Sequence, residues 1–165
     1  MDKKRRQGVE SSNEFEEKVL YINRCSKVVK GGRKFSFSAL VVIGDKNGHV
    51  GVGFAKANEV ADAIRKSGES ARKNILAFEI EGTTIPHEFI TNWDGAIILL
   101  KPAPEGTGII AGSKVRAVLE LSGIKDIVAK NLGSNNSLNQ VRATCKALAS
   151  LRNRDEVMRA REART

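Results

Sequence analysis

Residues 24–42 read RCSKVVKGGRKFSFSALVV. Five cations (Arg24, Lys27, Lys30, Arg33 and Lys34) fall within eleven residues, with no acid among them. Between them Gly31 and Gly32 allow a tight turn and positive φ. Immediately afterwards Phe35, Phe37, Ala39, Val41 and Ile43 alternate with Ser36, Ser38, Leu40 and Val42, the periodicity of a strand. A strand therefore carries a basic, glycine-hinged loop at its end. Charges of one sign packed this densely repel unless something negative lies between them. A solvated surface loop is the plainer reading, and the rest of the chain decides against it.

Outward from this stretch the strand ends at Gly44-Asp45-Lys46-Asn47-Gly48, where Asn-Gly between apolar runs signals a hairpin. In the return strand Val50, Val52 and Phe54 share one face, and Gly51, Gly53 and Ala55 the other. A glycine-lined face predicts close approach by a helix or another backbone. A helix comes next, with Asn58 as its cap, Glu59 and Asp62 at the positive end of its dipole, and Val60, Ile64, Ala71, Ile75 and Phe78 as its buried stripe. Arg65, Lys66, Arg72 and Lys73 repeat at seven-residue spacing along one exposed side, and Lys56 lies on the return strand. Before the basic loop, Val19 to Asn23 read as another strand, with Val19 and Tyr21 on one face and Leu20 and Ile22 on the other.

Gly82-Thr83-Thr84 and Pro86 mark a linker. Beyond it, 87–90 and 96–100 read as strands turned at 92–95, and the loop PAPEGTGIIAG leads to a helix capped by Ser113 and stopped by Gly123. A short strand over 124–130 and a helix over about 137–151 complete the pattern; Leu138, Val141, Cys145 and Leu148 form the helix's apolar stripe, making Cys145 a core residue. The expected division is a disordered basic arm 1–13, one domain 14–81, a linker 82–85, a second domain 86–151, and a charged tail 152–165 that is a frayed helix or disordered.

Net charge is +9, and the window 24–73 holds 11 cations against 4 acids, so the charge is focused. A polyanion is the expected partner, nucleic acid before an anionic membrane surface. No apolar run approaches the roughly 18 residues needed to span a bilayer, and the N-terminus has no apolar signal core. Cys25 and Cys145 fit neither a metal nor a disulfide spacing, which suits a reducing cytoplasm, and no cofactor or metal is expected.

Catalysis finds little support. Where GTGIIAG runs into its helix the order is Gly112-Ser113-Lys114, whereas a phosphate loop needs Gly-Lys-Ser/Thr. Gly51-Val52-Gly53 lacks a dinucleotide fingerprint's third glycine. The 106–112 amides and the helix start can still hold an RNA phosphate or a protein neighbour. His49 and His87 have no evident carboxylate or cysteine partner and read as surface residues; Glu14, Glu16 and Glu17 read as a solvated acidic flank. Trp93 in its turn reads as packing, as do Phe35 and Phe37, although one of these two could stack on a base. No nucleophile, base and orienter assemble, so an enzyme is not expected.

Three stretches together, SKVVKGGRKFSFSALVVIGDKNGHVGVGFAKANEVADAI, LLKPAPEGTGIIAGSKVRAVLELSGIKDIVAKNLGSNN and QVRAT, resemble bacterial small-subunit ribosomal protein five. The resemblance covers about residues 14–150. It implies an α+β chain of two small domains: a three-stranded sheet with one helix, like a double-stranded-RNA-binding fold, then an α/β domain with two helices on a sheet. It further implies binding to small-subunit ribosomal RNA at the body–head junction, with ribosomal proteins four and eight as neighbours. Proximity to mRNA at the entry side, support of the head and an influence on decoding accuracy belong to the same implication. By motif, Ser26, Lys27, Lys30, Gly31, Gly32 and Arg33 belong to the RNA-reaching hairpin associated with spectinomycin sensitivity, and Gly106, Gly108 and Arg116 to the surface facing protein four. The chain departs from the family pattern at Ala55, where Gly is usual, and at Ala61 and Ser137, where Pro is usual; Ser137 can itself cap the helix there. The expected mechanism is scaffolding, with Arg24 and Arg33 forking onto phosphates and Lys27 and Lys30 acting as point charges. No membrane partner and no homo-oligomer are expected. The competing readings are a free-standing regulatory RNA-binding module and a nucleotide-dependent enzyme.

Overall fold

The computed structural model describes residues 15–162, so the 1–13 arm and Glu14 of the acidic flank lie outside the described residues. The element order is β1 (Glu16–Val29), β2 (Gly32–Gly44), β3 (His49–Ala57), α1 (Val60–Lys73), β4 (Ile75–Ala77), β5 (Phe89–Trp93), β6 (Ala96–Pro102), β7 (Ile109–Ile110), α2 (Ser113–Ser122), β8 (Ile127–Asn131), α3 (Ser137–Ala149) and α4 (Arg154–Glu162). Strands β1-β2-β3-β4 make one antiparallel sheet, and β5-β6-β8-β7 a second, mixed sheet in which β7 runs parallel to β8. The expected three-stranded first sheet thus gains β4 at its edge. Ile75, expected at the end of the helix stripe, belongs to that strand, because α1 stops at Lys73.

Helix α1 lies on the first sheet where β3 carries no side chains. A Cβ on Gly53 would collide with the Ser67 carbonyl, and one on Gly51 with that of Ala71. The glycine-lined face therefore does what its pattern predicts. The helix presents Ala63, Ser67, Gly68 and Ala71 to the sheet, smaller residues than the stripe read from sequence. Its N-cap is Glu59 rather than Asn58, without a side-chain capping bond. Two further caps also shift by one residue. Gly112, not Ser113, precedes α2, and Asn136, not Ser137, caps α3 by accepting a hydrogen bond from the Leu138 amide at 3.0 Å. Gly123 ends α2 in the left-handed region as expected.

On its other face the first sheet is buried too. Leu40, Val42 and Val50 join Ile98, Leu100, Val118, Leu121, Val141 and Leu148 in one continuous core, with Ile85 of the connecting segment inside it. The β2–β3 turn docks on the end of α2, its Lys46 and Gly48 amides donating to the Leu121 and Ser122 carbonyls at 3.0 Å each. Between the layers Lys18 of β1 pairs with Glu120 of α2 at 2.6 Å. The tail is helical over α4, while 163–165 lie outside the described residues.

Candidate nucleic-acid interface

Strand β3 pairs with β2 only from Phe37 to Gly44, whereas β1 continues its register from Arg24↔Phe37 outward to Val29↔Gly32. The last five pairs therefore project beyond the sheet as a two-stranded ribbon, about 16 Å long at strand rise. The basic loop of the sequence is mostly strand, with its turn confined to Lys30 and Gly31. Gly31 and Gly32 have φ of 95° and 156°, and a Cβ added at either would meet nothing within 4 Å, so these glycines serve the backbone path of the turn and not packing.

Directly opposed residues share a face, so the register sorts the cations. Lys27 sits opposite Lys34, on the face that farther along the sheet carries Leu40 and Val42; Lys56, opposite Ser38, is on this side too. Arg24, opposite Phe37, and Arg33, opposite Val28, occupy the α1 side together with Ser26 and Phe35. Lys30 is in the turn. Opposed lysines destabilise a strand pair, and among the described residues Lys27, Lys30, Arg33 and Lys34 make no ion pair. A polyanion across the ribbon would relieve that repulsion.

The helix flank differs. Arg65 is held by Asp62 and Glu69 at 3.5 and 3.3 Å, and Arg72 reaches Glu17 of β1 at 3.0 Å. Lys66 and Lys73 are exposed beside them. Because Ala63 packs near Ala39 and Ala57 while Ala71 packs near Val41 and Ile43, Arg72 and Lys73 sit at the sheet end away from the ribbon. The structure unites the ribbon cations and leaves the helix cations apart. The acidic flank is engaged as well, since Glu16 meets Lys46 and Glu17 meets Arg72.

Several aromatic and histidine readings change. Phe35 is 49% exposed on the ribbon, with the Arg24 guanidinium carbon 4.6 Å from its ring centre, whereas Phe37 is half-buried beside Ala39. Trp93 is exposed with the Lys146 ammonium 5.4 Å from its ring. His49 has a carboxylate partner after all: its Nδ1 lies 2.7 Å from Asp45 Oδ2. Burial opposes ionisation of Asp45, but the Asn47 and His49 amides and the His49 ring outweigh it and hold the carboxyl below its ordinary value. His87 Nε2 accepts from the Arg152 amide at 3.2 Å. Cys145 is buried, and burial pushes its thiol up to about 12, as suits a core residue.

In the second layer the structure gathers Gly106, Gly108 and Arg116. Arg116 donates to the Ile109 carbonyl at 2.7 Å, and Asp126 accepts from the Gly108 amide at 2.9 Å. That amide bond is the main reason the Asp126 carboxyl lies below its ordinary value; burial opposes it, and the Thr83 hydroxyl with the Gly106 and Thr107 amides adds to the lowering. Nothing in the sequence around Asp126 signalled this role. Lys114, the cation of the would-be phosphate loop, donates instead to the Leu20 carbonyl at 3.0 Å.

A cationic two-stranded ribbon projecting from an α+β body gives the protein a surface suited to a polyanion. The family description "Ribosomal protein S5, N-terminal domain" matches residues 15–79, and "Ribosomal protein S5, C-terminal domain" matches residues 91–161. The chain is 66% identical over 159 residues to the small ribosomal subunit protein uS5 of Protochlamydia amoebophila, covering 96% of this chain and 94% of the relative. It is 61% identical over 150 residues to that of Chlamydia trachomatis (90% and 91% covered) and 62% over 151 residues to that of Chlamydia abortus (91% and 92% covered). The chain belongs to the ribosomal protein S5 family. It is accordingly a structural, non-enzymatic constituent of the small ribosomal subunit, and so of a cytoplasmic ribonucleoprotein.

Proposed function

We propose that the β1–β2 ribbon anchors the protein on small-subunit ribosomal RNA at the body–head junction, near the mRNA entry side, as a single copy. The observation that carries this reading is the unrelieved Lys27↔Lys34 pair, with Lys30 and Arg33 around the adjoining turn. Phosphates between these cations would replace repulsion by attraction and release counterions, giving tight, salt-steep binding with little direct base reading. Lys56 extends the anchor along one face, and the helix cations Arg65, Lys66, Arg72 and Lys73 contribute a weaker second contact. On the same reading, the surface of Gly106, Gly108 and Arg116 faces ribosomal protein four, with protein eight also a neighbour. The protein thereby braces the head and influences decoding accuracy through how firmly that surface is held.

The test is binding of the full-length protein to small-subunit ribosomal RNA over a salt series, beside the variant K27A/K30A/R33A. The variant should bind more weakly, with a plot of log affinity against log salt flatter by about two to three units. An unchanged slope overturns the ribbon as the anchor.

A further inference from the structure

The α1-side face of the ribbon combines a charge with an exposed ring. Arg24 and Phe35 come from opposite strands and are diagonal neighbours, because Arg24 pairs with Phe37 and Phe35 with Ser26. The guanidinium lies over the ring at 4.6 Å, within cation–π range. Ser26, directly across from Phe35, is too small to cover the ring's flank. About half of Phe35 stays open to solvent although one ring face is taken. On the same face Val28 is 75% exposed opposite Arg33. Two large apolar side chains held at the tip of a cationic ribbon contribute nothing to the core. Simple solubility would favour polar residues at both positions.

We propose that Phe35, with Arg24 stacked on it, is a platform for an unpaired nucleobase of the RNA that the ribbon contacts. This inference rests on the ribbon being the RNA anchor and adds a ligand class to it. Every base has a π-face, so an aromatic ring beside a guanidinium plane holds a splayed-out base by stacking, while neighbouring cations take the flanking phosphates. Arg24 then has a part that a lysine could not fill, since a planar guanidinium stacks and a compact ammonium does not. The ribbon's two faces divide the work: Lys27 and Lys34 are phosphate contacts, and Arg24 with Phe35 is a base contact.

The experiment measures full-length F35L, F35Y and R24K against small-subunit ribosomal RNA, with K27A/K30A/R33A alongside. F35L keeps apolar bulk and every charge, so the platform predicts affinity about 5- to 150-fold weaker with an unchanged salt slope. F35Y, which retains the ring, should bind within about twofold of the parent, and R24K should weaken binding without altering the slope. Ultraviolet cross-linking of the parent complex should attach a nucleotide to the peptide containing Phe35, and F35L should lose that adduct. If F35L binds like the parent, or if F35Y loses as much as F35L, base stacking is overturned. A flattened slope in the triple variant alongside such a result would leave the phosphate anchor standing, so the two failures are distinguishable. If the triple variant's slope does not change, the ribbon is not the anchor and the platform fails with it.

Discussion

Gly53 sets how closely α1 approaches its sheet. An added Cβ would meet the Ser67 carbonyl and lie 2.6 Å from the Ala71 nitrogen, both of them helix backbone that cannot turn aside. G53A should therefore cost about 1–3 kcal/mol, seen as a fall of roughly 3–10 °C in the thermal midpoint. Asp126 gives a second residue-scale test, through pH. Its carboxyl is held below the ordinary 3.8, chiefly by the Gly108 amide. A group whose folded value is depressed stabilises the fold fully above its unfolded value and loses that contribution as pH falls through the folded one. The stability gap between the parent and D126N should thus be constant above about pH 5 and close below about pH 3.8. A gap that widened on acidification would rule out the ionised clamp.

At the scale of elements, caps and edges decide what is firm. N136A removes the side-chain bond that caps α3, the donor being the Leu138 amide. It should lower stability by about 1 kcal/mol, or roughly 2–4 °C by thermal melting, whereas S137A should change little. The contrast also shows which parts of the chain sequence alone discloses. The β2–β3 hairpin is legible because Asn47-Gly48 stands between apolar runs, and the α1 contact because glycines alternate on β3. Strands β4 and β7 span three and two residues, too short for any periodicity to emerge. The outer half of β1 hides for a different reason. With both faces in solvent, Arg24 to Val29 need no polar–apolar alternation, so their strand character comes only from pairing with β2. The exposure of Phe35 has the same origin, since alternation implies a buried face only where something covers it.

At the scale of the molecule, the two sheets share one core. The run Ala39-Leu40-Val41-Val42-Ile43 is buried on both faces, with α1 on one side and the second layer on the other. Continuous apolarity there marks a strand enclosed between layers, a cue that strict alternation obscures. Leu121 sits at the junction: it is buried, a Cβ on Gly44 would collide with its carbonyl, and that carbonyl accepts from the Lys46 amide at 3.0 Å. L121A would leave a cavity costing about 2–5 kcal/mol. If the layers are one cooperative unit, both should weaken together. Fluorescence of Trp93, the single tryptophan, reports the second layer, and amide exchange at Val41 and Val42 reports the first. In the parent the two probes should give one unfolding free energy, and in L121A they should fall by the same amount. Loss confined to Trp93 would mean that the layers unfold separately. In that case the ribbon, the proposed RNA anchor, would be mechanically independent of the Gly106–Gly108 surface. A common fall would mean that the layers unfold as one unit, so that lost packing at their junction weakens both surfaces, as the proposed bracing role requires.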